Sequence, residues 1–64
     1  MQNIIKSLRT DLGWSQTVLG EKLGVSRQTV NAIESAKYDP SLPLAFKLAD
    51  VFGRPIERLF TQDQ

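Results

Sequence analysis

The stretch Ser26-Arg27-Gln28-Thr29-Val30-Asn31-Ala32 gathers side chains suited to flat polar edges and small methyl groups. An arginine can donate two parallel hydrogen bonds to guanine, and a glutamine or asparagine amide can pair with adenine. A short apolar group such as the Ala32 side chain suits a thymine methyl. Arg27, Gln28, Asn31 and Ala32 are therefore candidate base readers. The flanks carry groups of another kind. Gln16 and Thr17 open a helical stretch, where unpaired N–H groups and the helix dipole favour a phosphate. Ser26 and Thr29 add hydroxyls. Lys37 and Tyr38 follow the polar stretch and could hold a phosphate on its other side. Lys6 and Lys22 are further basic candidates. Standing alone, a Ser-Arg-Gln-Thr helix start is an ordinary solvated surface. Lys37 reads equally as a solvated lysine, and Tyr38 as a ring packed on its own loop. The case for a ligand thus depends on the framework that holds these residues.

Other chemistries find little support. The chain contains neither histidine nor cysteine, which removes histidine general bases, Ser-His triads, thiolate metal sites and disulfides. Ser15, Ser26 and the scattered carboxylates have no activating base beside them, and there is no glycine-rich phosphate loop. The expectation is a non-enzyme with no cofactor and no metal. Eight Lys and Arg against seven Asp and Glu leave a net charge of +1, so bulk charge does not argue for nucleic acid; only local placement can. No apolar run approaches the roughly 20 residues that span a bilayer, and Met1–Lys6 lacks the apolar segment of a signal peptide. The absence of cysteine fits a reducing, cytoplasmic setting, which for a DNA-binding chain means the nucleoid.

Sixty-four residues make one domain, and a hydrophobic content of 41% is enough for a packed core. The pattern predicts an all-α fold with no strand. A first helix spans about 3–12, with Ile5, Leu8 and Leu12 on one face and Gly13 ending it. Ser15 caps a second helix, about 16–23, with Val18, Leu19 and Leu23 as its buried stripe. Ser26 caps a third, about 27–35, with Val30 and Ile33 inward. Lys37–Pro40 is a loop. Ser41 caps a fourth helix, in which Ala45, Leu48, Ala49 and Phe52 share a face and Pro43 falls in the first turn. Pro55 opens a short fifth helix to about residue 60, carrying Ile56, Leu59 and Phe60. The tail 61–64 is polar and reads as frayed.

The segment QTVLGEKLGVSRQTVNAIES, residues 16–35, meets the demands of two helices crossing at about 90–120° through a short turn. The crossing needs a small residue on the first helix, and Gly20 stands there at a helix-propensity cost of about 1 kcal/mol. The turn needs a residue that accepts positive φ, and Gly24 supplies it. Val25 tucks beneath both helices, while Val30 and Ile33 pack the second helix back on the first. On this reading Gly20→Val overpacks the crossing, whereas Gly20→Ala is tolerated. Trp14, just before the Ser15 cap, reads as a core or staple residue rather than a base-stacking one.

From about Lys6 to Phe60 the chain resembles the Cro/phage-repressor type of helix-turn-helix regulator, often called XRE-like. The run LGVSRQTVNAIE, residues 23–34, is similar to that family's most typical segment, and KYDPSLPLAFKLADVFG, residues 37–53, continues the likeness. The resemblance implies a compact five-helix, lambda-repressor-like domain over residues 1–64, with the third helix reading DNA. It also implies an ion pair between Arg9 in the first helix and Glu34 at the end of the third. Three positions depart from the family pattern. Gly20 stands where alanine is usual, and Pro55 replaces a serine cap. Ser35-Ala36 replaces Asn-Gly, so Ala36 is costly if it takes the left-handed conformation that glycine serves there.

The function expected is sequence-specific binding of double-stranded DNA by a transcriptional regulator. Repression is the simplest form, since occlusion requires only tight binding. One recognition helix reads few base pairs, so a homodimer on a near-palindromic operator is expected; Ile56, Leu59 and Phe60 are core residues by default, but a terminal helix need not bury all of them, and with Phe52 they are the best candidate for the subunit contact. An alternative from another class is a protein-binding module, such as an antitoxin-like chain gripping a protein partner with the same fold.

Overall fold

The computed structural model describes residues 1–61. Seven elements follow in order: β1 (Gln2–Asn3), α1 (Ile5–Asp11), α2 (Gln16–Leu23), α3 (Arg27–Glu34), α4 (Leu42–Phe52), α5 (Ile56–Leu59) and β2 (Phe60–Thr61). The five helices fall where the apolar periodicity puts them, with ends shifted by a residue or two. Three begin at serines that act as predicted. The hydroxyl of Ser15 accepts from the backbone N–H of Val18, that of Ser26 from Thr29, and that of Ser41 from Leu44. Each satisfies an N–H that the helix leaves unpaired. Pro55 precedes α5 without a side-chain cap bond.

The core is made where the helices meet. Ile5, Leu19, Leu23, Val30, Ile33, Leu48 and Leu59 are each at most 1% exposed. Each such aliphatic residue contributes roughly 1.5–3 kcal/mol through removal from water. α2 sits centrally, against α3 on one side and α4 on another, and α5 closes against α4. No helix among the described residues is long and apolar enough to cross a membrane.

Several expectations change. The fold is not purely helical: β1 and β2 pair antiparallel, Gln2 with Thr61 and Asn3 with Phe60. The Ile4 N–H also donates to the Leu59 carbonyl at 3.1 Å. Two-residue strands carry no alternation for a sequence pattern to reveal, and this pairing exists only because the fold brings the two segments together. Thr61 is therefore paired, and positions 62–64 of the expected frayed tail lie outside the described residues.

Leu12 is 53% exposed and Val18 37% exposed, against their predicted burial. In α1 the inward positions are Ile5 and Arg9, four apart. The stripe turns toward the Arg9 ion pair and leaves Leu12 outside. In α2 the buried residues are Leu19, Gly20 and Leu23, which moves Val18 to the flank. Leu59 and Phe60, expected to supply a subunit contact, are 1% and 8% exposed and belong to the core. They cannot supply that surface without opening the fold.

Candidate nucleic-acid interface

The crossing of α2 and α3 sets the direction of α3. At Gly20, a Cβ placed on the backbone would come within 2.7 Å of the Val25 carbonyl oxygen. That oxygen is backbone and cannot swing aside, so the turn 24–26 is fitted against a missing side chain. Gly24 takes φ +77° at the end of α2, and the Val25 N–H bonds back to the Gly20 carbonyl at 2.9 Å. The turn thus closes on Gly20 from two directions, which overturns the expectation that alanine is tolerated there. The close contact is with the turn backbone rather than with α3 itself.

The far end of α3 is held by a buried ion pair. Arg9 Nε donates to Glu34 Oε2 at 2.6 Å and Nη2 donates to Oε1 at 3.1 Å. The third donor, Nη1, goes to the Trp14 carbonyl at 2.8 Å. The two side chains are only 9% and 4% exposed. Hydrogen bonding to Glu34 raises the Arg9 pKa, ahead of the opposing effect of burial. The implied pairing is therefore present in bidentate form, tying α1 to the last residue of α3 and, through Trp14, to the entrance of α2. A second tie was not foreseen. Asn3 Nδ2 donates to the Ile33 carbonyl at 2.8 Å, and Asn3 Oδ1 accepts from the Ile5 N–H at 3.1 Å. One asparagine thereby caps the start of α1 and holds the end of α3. In the sequence Asn3 falls at the expected start of the first helix, and the structure begins that helix two residues later, at Ile5.

With α3 fixed at both ends, its faces are settled. Val30 and Ile33 point into the core; Arg27, Gln28 and Asn31 are exposed, and Ala32 is half-buried. The four candidate base readers thus share the outward side and its margin. Ser26 and Thr29 are partly spent on each other: besides the cap, their hydroxyls lie 3.1 Å apart. Gln16 is half-buried and donates one amide N–H to Glu34 at 3.1 Å. A primary amide has two donors, so one remains. Thr17 is exposed beside it. Lys6, Gln16, Asn31, Glu34 and Ser35 line a cleft of about 150 Å³ where α1, α2 and α3 converge. Ser35, which the sequence marks only as a departure from the family pattern, joins this cleft. It sits at a helix end whose geometry is decided by Ala36.

Ala36 does take the left-handed conformation, with φ +62°. The reversal turns the N–H groups of Lys37 and Tyr38 back onto the Ala32 carbonyl at 3.0 and 3.2 Å. This sets both residues directly after α3, exposed, with Tyr38 46% accessible. Lys22 lies elsewhere: its ammonium sits 4.5 Å from the centre of the Trp14 ring, a cation–π contact. Trp14 is half-buried and meets Phe52 with ring centres 5.8 Å apart, as a packing residue should.

Comparison with known proteins agrees with the helix-turn-helix fold. A helix-turn-helix family model matches residues 5–59. An uncharacterized HTH-type transcriptional regulator of Methanocaldococcus jannaschii is 55% identical over 60 residues, covering 94% of this chain and 91% of the relative. One of Bacillus subtilis is 50% identical over 60 residues with the same coverage. One of Methanothermobacter thermautotrophicus is 43% identical over 65 residues, covering 100% of this chain and 94% of the relative.

Proposed function

Given that the chain belongs to the Cro/phage-repressor-type (XRE-like) helix-turn-helix family of DNA-binding transcription regulators, we propose that it reads a near-palindromic operator as a homodimer. On this proposal α3 enters the major groove. The observation that carries it is the outward side of α3, where Arg27, Gln28 and Asn31 are exposed on a helix whose start is set by the turn closing on Gly20 and whose end is held by Arg9 and Asn3. A helix held by a buried bidentate pair presents its side chains in a fixed register, which base reading requires. Arg27, Gln28, Asn31 and Ala32 then meet base edges. Gln16, Thr17, Ser26, Thr29, Lys37 and Tyr38 lie against the phosphates on either side. Repression follows from occlusion of the bound site. No catalysis is involved.

Base and backbone contacts respond differently to sequence and salt, and titrations on operator and unrelated duplex separate them. Arg27→Ala or Gln28→Ala is expected to cost about 1–3 kcal/mol per half-site on operator and much less on unrelated DNA. Lys37→Ala is expected to weaken both alike and to make the salt slope shallower by about one unit. Equal losses on both duplexes for Arg27→Ala and Gln28→Ala would mean that α3 holds the backbone without reading bases. Sequence-specific regulation through this helix would then be abandoned in favour of a protein partner for the same surface.

A further inference from the structure

A second cleft, of about 340 Å³, lies between the turn after α2 and the start of α4. Gly24, Thr29, Tyr38, Ser41 and Lys47 help to line it, and no carboxylate does so among the described residues. Lys47 follows Pro43 by four positions and Leu44 by three, so its stem lies over the first turn of α4 and carries the ammonium toward the helix start. It is exposed, and neither described ion pair takes it. The Ser41 hydroxyl accepts from the Leu44 N–H and keeps its own hydrogen to donate. Tyr38 adds a phenolic O–H. One ammonium and two hydroxyl donors without a carboxylate make a seat for an anion such as phosphate. We propose that this cleft seats one phosphodiester of the DNA backbone, and that Lys47, on α4 and outside the helix-turn-helix, supplies its charge. The proposal rests on the reading of α3 as the base-reading helix and adds a backbone contact to it.

The placement favours a strand of the duplex over a free anion. Thr29 and Tyr38, which lie against phosphates on this reading, both line the cleft. The smaller cleft, with Lys6 and Gln16, borders α3 at Asn31. At about 100° per residue, Thr29 and Asn31 stand about 160° apart around α3, so the two clefts flank the helix on opposite sides. A helix in the major groove, which is about 12 Å wide, has a sugar-phosphate backbone on each side. One cleft then meets each backbone. Charge makes the same demand. With a net charge of +1, attraction to DNA must come from cations at the interface that nothing else holds. Arg9 is committed to Glu34 and Lys22 to the Trp14 ring. Lys47 has no such commitment among the described residues, and it shares its cleft with Thr29 of the reading helix.

Salt titrations and single-phosphate replacement, both with the full chain, test the assignment. Lys47→Gln should weaken binding to operator and to unrelated duplex alike, by roughly five- to tenfold per half-site at about 0.1 M salt. The slope of log affinity against log salt should become shallower by about 0.9 per half-site. The melting curve should stay in place, because Lys47 is exposed, and Lys47→Arg should keep most of the affinity. Replacing backbone phosphates one at a time by neutral methylphosphonates then locates the contact. One position should weaken the wild type but not Lys47→Gln, and it should differ from the position that Lys37→Ala silences. Unchanged affinity and salt slope in Lys47→Gln, or a loss tied to no particular phosphate, overturns the seat and leaves base reading by α3 untouched. Saturable binding of inorganic phosphate at constant ionic strength, abolished in Lys47→Gln while its methylphosphonate profile matches the wild type, assigns the cleft to a free anion and overturns the strand contact. A wild-type chain that binds no duplex overturns the seat together with the DNA reading.

Discussion

Gly20 shows how much can depend on one absent methyl group. Alanine would gain about 1 kcal/mol of helix propensity. Its Cβ would also press on the Val25 carbonyl from 2.7 Å, and overpacking against groups that must shift costs about 1–3 kcal/mol. We expect Gly20→Ala to be destabilising on balance by about 1 kcal/mol and Gly20→Val by more, both read from denaturant midpoints. A Gly20→Ala protein more stable than wild type would show that the turn relaxes freely. Ala36 presents the opposite case. It holds φ +62°, where an L-residue with a Cβ is disfavoured by roughly 1–2 kcal/mol. Ala36→Gly removes that strain but frees the unfolded chain by about 0.4–1 kcal/mol. The expected result is a net gain of up to about 1 kcal/mol. A loss of stability in thermal melts would place the favourable contribution of Ala36 in its methyl contacts.

Between elements, the decisive connection is Arg9 with Glu34. It joins α1 to the end of α3 at 9% and 4% side-chain exposure, so solvent screens it little. Removing one partner leaves a buried charge uncompensated, at a cost of about 3–5 kcal/mol. Replacing both by apolar groups of similar size is expected to cost far less. A double-mutant cycle with Arg9→Met and Glu34→Leu should return a coupling energy of at least about 1 kcal/mol. Simple additivity would reduce the pair to two independent residues. The single variants should also weaken operator binding, since Gln16 donates to Glu34 and the register of α3 depends on its C-terminal anchor.

At the scale of the whole molecule, the two ends of the described chain are fastened together. β1 pairs with β2, and Leu59 and Phe60 enter the core between them and the helices. A domain of this size has roughly 0.05–0.15 kcal/mol of stability per residue, so one large core deletion is a severe loss. Leu59→Ala is expected to cost about 2–5 kcal/mol and to lower Tm by about 10 °C or more. Leu59→Lys, which buries an unpaired charge, is expected to unfold the chain. A folded, monomeric Leu59→Lys protein in calorimetry would return this residue to the surface and reopen the terminal helix as a subunit contact.

Much of this was legible in the residues alone, because it depends on local physics. Serine hydroxyls cap the three helices that they precede, glycines sit where the chain must turn, and apolar spacing marks five helices within a residue or two of their ends. The polar start of α3 falls on the outward side because Val30 and Ile33 fix the inward one. The resemblance supplied the Arg9–Glu34 pair, which no local rule would have matched across 25 positions. What remained depended on contacts between distant segments. Whether Leu12, Val18 or Leu59 is covered is a question of which helix lies opposite, and periodicity only narrows the choice of face. The β1–β2 pairs join residues 57 and 59 positions apart and the Asn3 bond to Ile33 residues 30 apart, too short and too remote to leave a pattern. The 2.7 Å approach at Gly20 is likewise a tertiary distance. A sequence can say that the residue must be small, but only the placement of the turn backbone says how small.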